Sequence, residues 1–414
     1  MRNLNLPKTS MKLLEPILEL QPEIMKIRRD LHAHPELSFE EVRTSEVVAA
    51  KLAEWGIPTI RGLGGTGVVG IVKSGTSDRA IGLRADMDAL AMQEENSFPH
   101  ASVHQGKMHG CGHDGHTAML LGAARHLSRN RHFDGTVYLI FQPAEEGGNG
   151  GAKKMIDDGL FEKCPLDAVF SMHNYPGSPV GTFAVRSGAM LASSNRFELR
   201  VRGTGAHAAQ PHKGNNPLLV GIQIAQAWQT IVAAGKNPMQ PAVLSITQIH
   251  GGSATNVIPE QMTISGTVRT FATDVLDLIE RRMREIAEHT AAAFSATVDF
   301  EFARDYPPLI NHQAETDIAS DVMRSIVGEK NVKTDVEPAM GSEDFAFMLQ
   351  EKPGCYVLIG NGDGEDREFG HGLGPCDLHN PSYDFNDALL PIGATYWVRL
   401  VEHYFEQEGR GGSK

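Results

Sequence analysis

The stretch "KMHGCGHDGHTAMLLGAARHL", residues 107–127, gathers His109, Cys111, His113 and His116 in a glycine-rich segment that runs into an apolar helix pattern. Thiolate and imidazole are donors for zinc and other divalent transition metals. Cys111 and His113 stand two apart, and Gly110 and Gly112 let the backbone curl so that both side chains point at one centre. Taken alone, the stretch more often means a glycine-rich helix start with incidental histidines, His109 and His116 being the more incidental pair. A second stretch, "FQPAEEGGNGGAKKMIDDG", sets Glu145 and Glu146 side by side between a buried strand and a helix. Adjacent residues point in different directions, so one carboxylate can ligate metal while the other faces substrate. An acidic first turn favoured by the helix dipole is the plainer alternative, and the surrounding glycines make it less satisfying. His173 closes the run "DAVFSM", and His379 sits in "GPCDLHNPSYDFND" near Cys376. A lone strand-end histidine is more often structural, and Cys376 serves equally as a small buried hydrophobe. Cys111, His113, Glu146, His173 and His379 together, each at a strand-to-helix loop, are harder to dismiss. They suffice for two metals that share ligands.

The elements needed to hold such a cluster are legible. Residues 11–32 read as a helix whose early part Pro16 and Pro22 threaten to break. "SFEEVRTSEVVAAKLAEWG", residues 38–56, reads as a second helix, with Ser38 and Glu41 as a capping box and Gly56 as its stop. Short apolar runs then alternate with helical patterns: "AIGLRA" ends in Asp86-Met87-Asp88, "TVYLIF" in "QPAEEGG", and "DAVFSM" in His173-Asn174. This predicts an α/β layer with a mixed, largely parallel sheet flanked by helices, and ligands gather at the carboxyl ends of such strands. Near residue 188 the pattern changes to strand, helix (216–234), two strands, helix (274–294), strand. That is the split β-α-β-β-α-β order of a ferredoxin-like α+β module. The expected organisation is a discontinuous metal-binding domain of residues 1–187 and 302–414, interrupted by an inserted domain of residues 188–301.

The totals narrow the class. The chain has 414 residues, 41% of them hydrophobic, and a net charge of −13. An acidic balance argues against a nucleic-acid binder. Four scattered cysteines make a disulfide framework unexpected. No signal peptide and no run long enough to span a bilayer is found, so a cytoplasmic enzyme without a membrane partner is expected.

Read as a whole, the sequence resembles the aminoacylase/carboxypeptidase-type metallopeptidase family, in the amidohydrolase branch of hippurate hydrolases and auxin-amide hydrolases. The resemblance spans about residues 20–405. It is carried by "RRDLHAHPELSFEE", "LRADMDAL", "MHGCGHDGHTAMLLGAA", "FQPAEEGGNGGAKKMIDDGLF", "MHNYPG", "GTGAHAAQPHKGNNP", "GGSATNVIPE", "GTVRTF" and "GSEDFAF". It implies a zinc-aminopeptidase-like catalytic domain with an inserted lid and dimerisation domain. It implies Cys111, His113, Glu146, His173 and His379 as ligands of two divalent metal ions (Zn, Mn, Co or Ni) and Glu145 as general base. The wider family's His-x-Asp motif looks here like Arg84-Ala85-Asp86 without the histidine, so Asp86 is implied to orient a ligand from behind. His207 is implied as an oxyanion stabiliser from a partner subunit, and Asn256 and Arg269 as anchors for the substrate carboxylate. A homodimer or homotetramer through the inserted domain follows, with an N-acyl amino acid as substrate. The competing readings are an aminopeptidase or dipeptidase on the same scaffold, a non-catalytic metal-binding relative, and a metal-free cysteine hydrolase using Cys111.

Overall fold

The computed structural model describes residues 11–148, 150–362, 364 and 369–406. It divides into two compact units: Met1–Gly188, Ile310–Glu337 and Phe347–Lys414 form the first, and Ala189–Leu309 with Pro338–Ala346 the second. The second unit therefore runs past residue 301 and takes in a later segment. One reason is that its last strand keeps pairing as far as Tyr306 opposite Ser194. The other is that Ala192 N donates to the Ala339 and Gly341 carbonyls (3.1 and 2.9 Å), which ties residues 338–346 to this unit.

In chain order the first unit supplies α1 (Glu15–Ala33), α2 (Val42–Glu54), β1 (Thr59–Leu63), β2 (Gly67–Ser74), β3 (Ala80–Asp86), α3 (His113–Arg129), β4 (Gly135–Gln142), β5 (Ala168–Tyr175) and β6 (Phe183–Ala184). The second unit supplies β7 (Ser194–Arg202), α4 (Pro217–Ala234), β8 (Ala242–Gly251), β9 (Gln261–Thr270), α5 (Thr273–Ala293) and β10 (Thr297–Tyr306). The chain returns through α6 (Gln313–Val327), β11 (Val332–Lys333), β12 (Gly354–Gly360) and α7 (Leu389–Glu406).

The first unit's sheet has the order β1-β2-β4-β3-β5-β12-β6-β11. Its middle strands β4, β3, β5 and β12 are mutually parallel, while β1, β2 and β6 add antiparallel pairings. Every residue of β3 is buried, as a strand covered on both faces requires. Parallel alignment brings the carboxyl ends of β3, β4 and β5 to one edge of the sheet, with Asp88 and Glu145 just beyond β3 and β4 and with His173 and Asn174 in the last residues of β5. Helix α3 is buried along most of its length, so its first turn is anchored by the core itself. Pro22 does not break α1: the helix starts at Glu15, takes Pro16 in its first turn and runs through Pro22. Burial of Ile17, Ile24, Ile27 and Leu31 outweighs one lost backbone hydrogen bond.

In the second unit the sheet order is β8-β9-β7-β10, antiparallel throughout, which is the ferredoxin-like arrangement. Helices α4 and α5 close over it around Trp228, Ile224, Ile279 and Met283, and Trp228 Nε1 donates to the Met283 carbonyl at 2.9 Å. Contrary to expectation, one described helix, α4, is long and apolar enough to cross a membrane by length and composition. Here Val220, Ile224, Trp228 and Ile231 bury its inner face. Its outer face leaves Leu219 and Ile222 exposed, and the edge strand β8 leaves Ile249 exposed.

Candidate metal centre

The five expected ligands and Glu145 all lie in the first unit, and they converge. Ligand atoms of Cys111, His113 and His173 lie within 4.8 Å of one another, as do those of Cys111, Glu146 and His379, and those of His113, Glu145 and Glu146. Two of these groups share Cys111. Cys111 Sγ is 3.4 Å from His173 Nε2, and His379 Nε2 is 3.3 Å from Glu146 Oε1.

The loop shapes explain how. Gly112 caps α3 with φ +96°, and a Cβ there would lie 2.2 Å from Asn174 Nδ2 and 2.6 Å from Tyr383 Oη. Only glycine allows Asn174 to donate to the Cys111 carbonyl at 2.7 Å. The Glu145-Glu146 loop turns at Ala144, which holds φ +53°. Gly151 closes the turn by donating to the Ala144 carbonyl (3.0 Å), and a Cβ on it would meet the Pro143 carbonyl oxygen. His379, also left-handed at φ +60°, is pinned beside the cysteine loop by donation from its backbone N to Gly110 O, 2.8 Å.

Ring orientation separates ligand from support. His113 Nδ1 donates to the Asp88 carbonyl at 2.8 Å, and His173 Nδ1 to the Asn174 carbonyl at 2.7 Å. Each bond leaves Nε2 turned toward the cluster, as for a histidine ligand held from behind. His116 differs, since Nδ1 lies 2.6 Å from Asp86 Oδ1 and Nε2 accepts the Asn174 backbone N–H at 3.0 Å. Both of its nitrogens already have protein partners, although its ring also lies within 4.8 Å of Asp86 and His113 ligand atoms.

The donor set fits a cation. His113 Nε2 is buried with no hydrogen bond, yet stands 3.8 Å from Asp86 and 4.0 Å from Glu146. Such spacings are too long for direct bonds and suit donors around a shared centre. Burial opposes charge on His113, but Asp86, Asp88 and Glu146 outweigh it and raise the imidazole to about 10. Burial, with Glu146 and Glu145, pushes the Cys111 thiol up. Burial, with His116, pushes His173 down. A divalent cation at the centre would hold the thiolate and offset the gathered carboxylates.

Several supports escape a reading by spacing. Asp88 receives the backbone N–H groups of Glu145 and Glu146 (3.1 and 2.9 Å) as well as His113 Nδ1 (3.2 Å). It thus holds three members of the cluster, while Asp86, the residue expected to orient a ligand, is engaged by Arg84 (2.7 Å) and His116. The alternation Asp86-Met87-Asp88 at a strand end was the available signal. Ser38 and Glu41 do not form a capping box. Ser38 Oγ donates to Asp88 and to the Glu146 carbonyl, and Glu41 accepts from Ala144 N at 2.8 Å. Burial raises Glu41 to about 7. His109 is buried with neither ring nitrogen bonded.

The remaining expected residues lie in the second unit. His207 and Asn256 are exposed neighbours on a small two-stranded ribbon, where His207 pairs with Val257 and Ala208 N donates to Asn256 O (3.0 Å). Arg269 sits on β9, half-buried, with Nη1 buried and unbonded, and burial lowers its pKa.

The model of the peptidase family M20/M25/M40 matches residues 82–403. The chain belongs to that family. It is 40% identical over 396 residues to a hippurate hydrolase of Campylobacter jejuni, covering 96% of this chain and all of the relative. It is 39% identical over 380 residues to an N-acetyl-L-cysteine deacetylase of Bacillus subtilis, covering 92% and 87% of the two chains. Among solved structures, a dinuclear metal-binding M20 peptidase of Bacillus subtilis superposes with a TM-score of 0.80 at 33% identity, covering 94% and 99%. The M20 chain described here is an amidohydrolase of the branch that contains these relatives.

Proposed function

We propose that this enzyme hydrolyses the amide bond of N-acyl amino acids, hippurate-like or N-acetylated, to a carboxylic acid and a free amino acid. The observation that carries the reading is the pair of ligand groups overlapping at Cys111, with the Glu145 carboxylate beside them. Cys111, His113, Glu146, His173 and His379 would hold two divalent ions, which when bound supply a water of lowered pKa and polarise the amide carbonyl. Glu145, held by its backbone N–H on Asp88 and not needed as a ligand, accepts the water's proton as it attacks. It then returns that proton to the departing amine. His207 stabilises the oxyanion, contributed by a partner subunit. Asn256 and the planar fork of Arg269 grip the substrate's carboxylate and align the scissile bond. The unbonded, buried Nη1 of Arg269 supports that role.

The exposed apolar face of α4 and the open edge of β8 support a homodimer through the second unit. All four cysteines are free thiols, which suits a reducing compartment, the cytoplasm.

The experiment is amino-acid release from hippurate, N-acetyl-methionine, an indole-acetyl amino acid and a plain dipeptide, with chelator and then with restored Mn²⁺ or Zn²⁺. Metal-dependent release that favours the acylated substrates supports the reading. Preference for the dipeptide overturns the substrate class, and release indifferent to chelator overturns the metal chemistry.

A further inference from the structure

Two segments that bear candidate ligands are tied to α1 by a buried ionic network that the hydrolytic scheme leaves unused. Fully buried Arg28 places Nε 2.7 Å from Asp387 Oδ1, and Nη1 2.8 Å from Asp384 Oδ1 and 3.6 Å from Asp114 Oδ2. One turn on, His32 places Nδ1 2.9 Å from Asp114 Oδ2 and Nε2 3.2 Å from Glu94 Oε1. Asp114 follows His113 directly, and Asp384 and Asp387 lie on the segment that begins at His379. Cross-links extend the frame. Asn96 Nδ2 donates to Glu94 and to the Tyr383 carbonyl (both 2.9 Å). Tyr383 Oη donates to Asn174 at 2.8 Å, and Asn174 in turn holds the Cys111 carbonyl.

Stability alone does not account for such a network. Desolvating several charges is costly, and well-packed apolar residues of similar volume commonly serve a fold as well or better. An apolar cluster cannot fix direction, whereas a guanidinium fork that reaches three carboxylates does. Arg28 shares the work of balancing those carboxylates with Arg29, which lies 2.7 Å from Asp387, and with His32 on Asp114.

We propose that Arg28 and His32 are positioning residues for the metal centre. Through Asp114 they set His113, and through Asp384 and Asp387 they set the segment that carries His379. One helix thereby fixes the separation between ligands on two sides of the site. The inference rests on the metal-centre reading given above.

The test uses the full chain, stripped with chelator and titrated with Mn²⁺ and separately with Zn²⁺ by calorimetry, beside thermal melts of the metal-free forms. Arg28→Lys keeps the buried charge and loses the fork. The triple variant Arg28→Met, Asp384→Asn, Asp387→Asn removes Arg28 together with the two carboxylates it holds on the His379 segment, while Asp114 keeps His32 and the part-exposed Arg29 loses Asp387. Metal-free melting should fall in Arg28→Lys, which leaves buried carboxylates short of a partner, and metal affinity should fall about 10–100-fold in every variant that folds. A merely structural role would move the melt and leave the folded protein's affinity alone. Affinity within twofold of wild type in either folded variant overturns the proposal. If the triple variant fails to fold, Arg28→Lys decides. Failure of the wild type to bind either metal overturns the metal reading itself, and the wild-type titration alone reports that result.

Discussion

The two units treat their polar residues in opposite ways. In the first, Cys111, His113, Glu145, Glu146 and His173 are buried, and each histidine ring or carboxylate loop is fixed by a second group: Asp88, Asn174, Glu41 or Gly112. In the second, His207 and Asn256 lie in solvent on a two-stranded ribbon, and Arg269 keeps a buried donor without a partner. Of the expected ligands only His379 is exposed, and the rest form a buried cluster supported from behind. Exposed groups acquire a chemical role only when a ligand or a second subunit meets them. On the function proposed above, metal binding belongs to the first unit and substrate recognition to the second.

That division can be broken in several ways. Glu145→Gln should lower kcat about 10²–10⁴-fold while metal affinity stays at the wild-type level, as read by steady-state kinetics beside a metal titration. A parallel loss of metal would make Glu145 a ligand. His207→Ala should cost about 10²–10³-fold in kcat with metal affinity unchanged, and mixing it with Glu145→Gln should restore part of the activity through hybrid dimers. No restoration would place His207 in the same subunit's chemistry. Asp88→Ala should weaken metal binding about 10–100-fold, because it frees both glutamate backbones and removes the side-chain contact to His113, whose ring keeps only the residue-88 carbonyl. An unchanged affinity would mean that the core alone orients them.

The smallest effect is on stability. Burial disfavours a charge on His32, but Asp114 and Glu94 outweigh it and raise its pKa from 6.5 to about 10. A raised folded-state value stabilises the fold fully below pH 6.5, and the gain is lost as pH climbs through about 10. Urea melts from pH 6 to 10.5 should therefore show the gap between wild type and His32→Gln closing as pH rises. A gap independent of pH would assign the effect to packing.

Much of this was legible in the sequence, for physical reasons. The parallel sheet shows as short, fully apolar runs because strands covered on both faces must be apolar. The ferredoxin-like unit shows as alternation because its sheet is half-exposed. Cys111, Glu145 and Glu146 stand out because glycine-rich turns and adjacent carboxylates are unusual at strand ends. The supports were hidden. Ser38 and Glu41 have capping-box spacing, yet their side chains go to Asp88, Ala144 and Thr66, contacts distant in sequence. His116 and His113 look alike in sequence, and only the hydrogen bonds of both ring nitrogens set them apart. Arg28 reads as a charge on an amphipathic helix, and its carboxylates lie far along the chain.

The most direct measurement is the number of divalent ions bound per chain, determined by titrating chelator-stripped wild type and Cys111→Ala with Mn²⁺. Two ions are expected in the wild type and the loss of at least one in the variant, with hydrolysis of N-acyl amino acids lost alongside. Full activity in stripped protein, or two ions held equally well without Cys111, would contradict this.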